Sequence, residues 1–357
     1  MEISGFLYSQ IGYDMGDPMR ALIRSTKAGS IGQGATFEAN RLEDGEIGKP
    51  TLTGPVRYWG EVWHSHWWEI DFSGIAQAGT YEITVSDPAG ERLYRSDPIP
   101  VDTEILWNAT VEAVAIEQFE HRAEVARNRI GWKDCGAEWR ECNSHASAII
   151  GLNQVLSVGF QWLTADLVER LTNQIIHGCD YLGILQDTGQ RIGAPDGAFV
   201  HEIPNHLVVI PGDTAQSVVA LAHAGRLLAD THPEKGREYV VRAGRGMNYL
   251  LLHARPSGGQ GFSTLNHGAP EDFVVPPEFM TRDLAMMMWG CLELYAAGCP
   301  DYQHHATRLA REVMARQVPR ELAEGGTNGD PELYGHFYTF ASARITEKAN
   351  CHHGVGM

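Results

Sequence analysis

The chain has 357 residues and a formal net charge of −17, with 43% hydrophobic and 20% charged residues. That composition is one of folded globular protein with room for two domains. The acidic balance excludes nucleic acid and anionic membrane surfaces, which need basic patches, and suits a neutral partner such as a carbohydrate.

Up to Asp102 the pattern has period two. In "TYEITV", Tyr81, Ile83 and Val85 alternate with Thr80, Glu82 and Thr84; in "HWWEIDF", Trp68, Ile70 and Phe72 alternate with Glu69 and Asp71. Punctuation such as "DMGDP", "SDPAG" and "SDPIP" separates the runs. About seven short strands in about 100 residues predict a β-sandwich of immunoglobulin type over 1–102. The six cysteines, Cys135, Cys142, Cys179, Cys291, Cys299 and Cys351, all follow this part, so it lacks an intersheet disulfide. Without a CxxC pair they suggest neither a disulfide framework nor a zinc ribbon. Cys179 and Cys291 fall in apolar helical patterns and are expected in the core.

From 103 the period becomes 3.6 and an all-α domain is expected over 103–357. Helices are predicted at about 103–123, 143–158, 165–186, 213–231, 234–254, 281–297, 301–317 and 331–346. In "DTAQSVVALAHAGRLLADT", Asp213 followed by Gln216 reads as a capping box. Consecutive helices imply stacked αα-hairpins. No run approaches about 18 apolar residues, so no membrane span is expected. The N-terminus lacks the basic start and apolar core of a signal peptide, which implies the cytoplasm if the sequence is complete and permits secretion if a leader precedes it.

The stretch "RIGWKDCGAEWRECNSHASAIIGL", 129–152, crowds Trp132, Asp134, Glu138 and Trp139 ahead of a helix. Asp134 and Glu138 are candidates to position or deprotonate a water; otherwise Asp134 caps backbone amides in a glycine turn and Glu138 is a surface acid. Trp132 and Trp139 are candidate sugar platforms, with Trp132 alternatively closing the core. Arg140 and His145 are candidate partners for sugar hydroxyls, or else cap the next helix or pair with Glu141. Cys135, Cys142 and His145, like Cys351, His352 and His353, lack the four-ligand spacing of a zinc site. Asp196, His201 and His206 belong to a polar loop that could wall a cleft or offer oxygen ligands to calcium; no other cofactor is expected.

The segment "YSQIGYDMGDPMRALIRS" resembles the first strands of the Ig-like domain that precedes many catalytic domains of glycoside hydrolase family 9. "DFSGIAQAGTYEITV" resembles a later segment of that domain, and "GWKDCGAEW" resembles the family's catalytic loop. The resemblance implies an (α/α)6 toroid that hydrolyses β-1,4-glucans or cello-oligosaccharides with inversion. Asp134 matches the loop's first Asp, which helps hold the water. The position of the second, the general base, falls on Ala137, which leaves Glu138 one residue later. An inverting pair stands roughly 6.5–9.5 Å apart around a water. Six hairpins need twelve helices, whereas about eight are predicted here, which implies a fragment, a toroid completed by another chain, or a smaller bundle. The family's general acid, a late Glu, would then lie beyond 357. The alternatives are a catalytically silent carbohydrate-binding relative, motivated by Ala137, and a toroid polysaccharide lyase, which the acidic balance disfavours.

Overall fold

Period-two alternation in the N-terminal part folds, in the computed structural model, into ten strands. The structure describes residues 4–43, 46–134, 138–159, 161–204, 207–254, 278–325 and 334–338. It divides into two compact units, Met1–Val114 and Ala115–Met357.

In the first unit β1 (Ser4–Leu7), β3 (Arg20–Ser25), β7 (Ser65–Asp71) and β6 (Arg57–Val62) form one sheet in the order β1-β3-β7-β6. The other sheet runs β2 (Tyr13–Asp14), β10 (Ile99–Asp102), β8 (Gly79–Ser86), β4 (Thr36–Glu43), β5 (Glu46–Pro55), with β9 (Arg92–Arg95) also paired to β8. Pairing is antiparallel except between β10 and β2. Both sheets contribute to one core, Ile23, Trp68 and Ile70 from the first and Phe37, Tyr81, Ile83 and Val85 from the second. The alternation that predicts Tyr81, Ile83 and Val85 as core is followed, but Glu82 on the opposite face is buried as well. Its charge is met by Arg95 on β9. Strands beyond the predicted seven are short, such as β2, or carry a proline at an edge, such as Pro50 in β5, and both weaken a periodic signal.

In the second unit the helices are α2 (Gln118–Val125), α3 (Cys142–Gly159), α4 (Ala165–Arg191), α5 (Pro211–Leu227), α6 (Pro233–Leu252), α7 (Thr281–Ala296), α8 (Tyr302–Met314) and α9 (Arg320–Gly325). A short helix α1 (Ile105–Thr110) and a π-helical stretch (Val111–Glu117) precede them. No helix among the described residues is long and apolar enough to cross a membrane. Helix α5 is buried along most of its length and packs against α3, α6 and α7.

Two sequence expectations are corrected here. Asp213 is not the N-cap of α5: the helix opens two residues earlier at Pro211, and no side chain caps it. Proline favours the first helical position because its missing N–H would be unpaired there anyway, so Asp213 lies inside the first turn with its carboxylate free to bond elsewhere. The helix expected at 331–346 is absent from its described part: Gly335, at φ 83°, turns the chain and Phe337 bridges to Gln317. Tyr338 there packs with Val318 and Ala323. Most of that range, like Cys135, Ala137, His206 and Cys351 to His353, lies outside the described residues.

Trp132 is packed where α4 comes closest to it. A Cβ on Gly178 would lie 2.4 Å from Trp132 Cη2 and 2.8 Å from Ile149 Cγ1. The ring cannot retreat, because Phe119 holds one side, edge-on at 4.7 Å, and His145 is stacked at 5.2 Å. Ala in place of a helical Gly gains about 1 kcal/mol of propensity, while overpacking costs about 1–3 kcal/mol or more. Gly178→Ala is therefore expected to lower the urea midpoint with an unchanged m-value. A raised midpoint would show that this contact yields easily.

Candidate active site at the helix N-termini

Helices α3, α5 and α7 begin side by side. Cys142 N–H donates to His201 O at 2.7 Å, and its Sγ lies 3.1 Å from Ser217 Oγ on α5. A Cβ on Gly212 of α5 would meet Asp283 Oδ1 of α7 at 2.7 Å. Three partly positive helix ends thus converge, and carboxyl groups collect there: Glu141 before α3, Glu202 between α4 and α5, Asp213 in α5 and Asp283 in α7.

The loop ahead of α3 is fixed from several sides. Gly131 has φ 65°, and a Cβ there would lie 2.8 Å from His145 Nε2, so only glycine lets the chain pass this close. The Trp132 N–H then donates to His145 Nε2 at 2.8 Å, and His145 Nδ1 lies 2.8 Å from Glu141 O. Since Nε2 accepts, Nδ1 carries the proton and donates to that carbonyl: the ring is the neutral Nδ1–H tautomer. Burial pushes its pKa down to about 3. His177 Nε2 holds Gly131 O at 3.0 Å. Arg140 is buried, donating to Ile130 O at 2.8 Å and Arg127 O at 3.2 Å, while Tyr181 donates to Arg140 O.

Arg122 of α2 aligns the acidic part. Its Nε donates to Lys133 O at 2.7 Å and its Nη2 stands 3.4 Å from Asp134 Oδ1. The Asp134 N–H donates to Trp139 O at 3.1 Å. Asp134 borders a cavity of about 140 Å³ with Arg122, Trp132, Glu141, Ser144 and His145, room for a few waters. Glu141 is the second carboxyl on this cavity. Burial raises its pKa, and the charges of Asp134 and Asp213 act in the same direction; the Ser144 hydroxyl, donating at 3.0 Å, and His201 oppose them.

The six residues singled out from sequence separate into different places. Asp134 borders the cavity. Glu138 does not: its side chain is 60% exposed and pairs with Lys133 Nζ at 2.9 Å. Trp132 is buried beneath the cavity with its indole N–H on Gln174, the core-closing alternative rather than an exposed platform. Trp139 is half-buried. Arg140 and His145 use the atoms described above on the protein's own backbone. Of the polar loop, Asp196 is 67% exposed on Arg245, whereas His201 is fully buried, its Nδ1 2.6 Å from Asp213 Oδ2. These two therefore share no cleft wall. Cys142 is buried and its thiol pKa is raised well above normal; with His145 committed elsewhere the pair forms no ligand set. Among the described residues no three His, Cys, Asp or Glu side chains are grouped to hold a metal.

Sequence reasoning missed Glu141, taking it only as an ion-pair partner for Arg140. The available signal was its place immediately before the apolar helical run, with Ser144 three residues on. Asp283, buried and with its pKa raised by that burial, is preceded by 255–277, where sequence periodicity is weak.

No family model matches the chain, and no curated protein does. Solved structures do. A metagenome-derived glycoside hydrolase family 9 endoglucanase superposes with a TM-score of 0.60 at 16% identity, over 92% of this chain and 70% of that one. A Bacteroides ovatus family 9 glycoside hydrolase gives 0.55 at 14% identity, over 96% and 68%. AaCel9A in complex with cellobiose-like isofagomine gives 0.58 at 15% identity, over 96% and 66%. The chain thus shares the fold of family 9 endoglucanases and spans about two thirds of their length.

Proposed function

We propose that the chain belongs to a glycoside hydrolase that cleaves β-1,4-glucans or cello-oligosaccharides with inversion. In this reading the first unit is an Ig-like domain and the second has the helical architecture of an (α/α)6-type glycosidase. The observation that carries it is the pair Asp134 and Glu141 on one water-sized cavity at the converging helix ends. Their environments differ in the way acid–base work requires. Asp134 is paired with Arg122 and orients the water. Glu141 has its pKa raised by burial, which suits it to accept a proton from the water and to take the role that Ala137 cannot. The shared fold and the cellobiose-like ligand of one neighbour support a β-glucan as the substrate.

A second reading, a catalytically silent carbohydrate-binding relative, is favoured by Ala137 and by the pairing of Glu138 with Lys133. The test is incubation of the full-length protein with cellohexaose while the anomeric protons of the products are followed by NMR. Inversion delivers the α-anomer first. Binding without cleavage selects the silent relative, and a β-anomer formed first rules out the inverting mechanism.

A further inference from the structure

We infer a second carbohydrate site, in the first unit, for a neutral oligosaccharide. It rests on that unit's own residues and not on the roles given to Asp134 and Glu141. A groove of about 570 Å³ lies between the 28–34 loop and the hairpin β6–β7, a volume within the range of small-ligand sites. Its aromatic wall is Tyr58, His66 and Trp68: Tyr58 and Trp68 centroids are 5.4 Å apart, Tyr58 and His66 6.2 Å. Trp68 is buried as the floor, while Tyr58 is 57% exposed.

The opposite wall is the sequence "AGSIGQG", where Gly29, Gly32 and Gly34 present bare backbone and Gln33 a neutral amide. Tyr58 Oη lies 3.0 Å from His66 Nδ1, so the phenol is held within the aromatic wall. None of the lining residues is Asp, Glu, Lys or Arg, in a chain that is otherwise strongly acidic. Ring faces, backbone amides and neutral hydrogen-bonding groups complement a pyranose, which offers C–H faces and hydroxyl edges. Apart from His66, a charged ligand would enter without a partner for its charge.

The hairpin itself adds an independent sign of binding. Trp59 and Trp63 on it are 61% and 80% exposed. Trp63 and His64 form its two-residue turn with φ of 52° and 55°, the left-handed pair that a tight hairpin requires, and this turn holds Trp63 out in solvent. Trp59 sits at the register shift between Tyr58 and Gly60, and such bulges re-aim side chains.

The test uses full-length protein carrying 5-fluorotryptophan, titrated with cellohexaose and followed by fluorine NMR, with Trp68 assigned by Trp68→Phe. A saturable shift of the Trp68 resonance is expected. It should weaken roughly tenfold or more in Tyr58→Ala, as for truncation of a central aromatic, while the far-UV circular dichroism is unchanged because Tyr58 is largely exposed. An unmoved Trp68 resonance overturns the proposal, whether or not Trp132 or Trp139 responds. So does an equal response in Tyr58→Ala, or a response to polygalacturonate in place of the neutral sugar.

Discussion

Glu141→Gln is expected to lower the turnover of cello-oligosaccharide by about 10²–10⁴-fold, the usual contribution of a general base, or about 3–5 kcal/mol of transition-state stabilisation. The change keeps size and leaves the Ser144 hydroxyl an acceptor, so the fold should survive. Asp134→Asn should cost a comparable amount by a different route, because it removes both the charge that orients the water and the partner of Arg122. Both losses should fall on kcat more than on KM, since neither side chain is assigned to grip the sugar. Glu138→Gln, in contrast, changes an exposed group paired with Lys133, and its effect should stay within about twofold, as for most exposed ion pairs. The pH profile separates the roles further. A base works only when deprotonated, and burial raises the pKa of Glu141 above the ordinary carboxyl value. Activity should therefore fall on the acid side through that raised pKa, and the residual activity of Glu141→Gln should lose this limb. Loss of turnover in Glu138→Gln with none in Glu141→Gln would return the base to the position nearest Ala137.

The parts of this fold that were legible in the sequence are those in which one local force dominates. Alternation over 80–85 and 67–72 is a direct record of burial, and Tyr81, Ile83, Val85, Trp68, Ile70 and Phe72 are all core. The helices α3 to α8 likewise follow from 3.6-residue stripes. Legibility ends where a partner distant in sequence decides. Glu82 is buried because Arg95 reaches it. Asp213 has the sequence surroundings of a cap, yet His201 claims its carboxylate. At the candidate site the motif "GWKDCGAEW" singles out the loop that carries Asp134, which borders the cavity. It could not show that the next carboxyl on the cavity is Glu141, seven residues on, because that depends on how the chain turns from Asp134 back to α3. Nor could it show that His145, which by type looks like a sugar-binding group, has both nitrogens occupied by Trp132 N and Glu141 O. Those bonds become visible only once Gly131 is seen pressed against the imidazole.

The same arrangement makes His145 a source of acid lability. Its pKa is lowered from 6.5 to about 3 by burial, so between these values the unfolded chain binds a proton that the folded chain refuses. Stability then rises with pH across that window, is complete above about 6.5, and is progressively lost as pH falls toward about 3. The slope is at most about 1.4 kcal/mol per pH unit, and the full window amounts to about 5 kcal/mol, a large share of a typical domain's stability. Protonation would also force a proton onto Nε2, where the Trp132 N–H already donates, so the strut between the loop and α3 breaks at the same time. Other groups overlap the lower end of the window: the carboxyls of Glu120, Asp187 and Asp196 have lowered pKa values through their arginine partners and lose their contribution in more acidic solution. His223, also lowered by burial, acts in the same direction as His145. The measurement is therefore a comparison of chemical-denaturation midpoints for the parent, His145→Gln and His223→Gln from pH 7.5 to 5. Gln at 145 keeps an acceptor for the Trp132 amide but does not titrate. It should be less stable at pH 7.5, with a visibly flatter dependence on pH, whereas His223→Gln should retain most of the slope. If His145→Gln keeps the parent's full slope and His223→Gln abolishes it, the buried imidazole beside Glu293 is the acid-labile group, and the neutral strut at 145 is not.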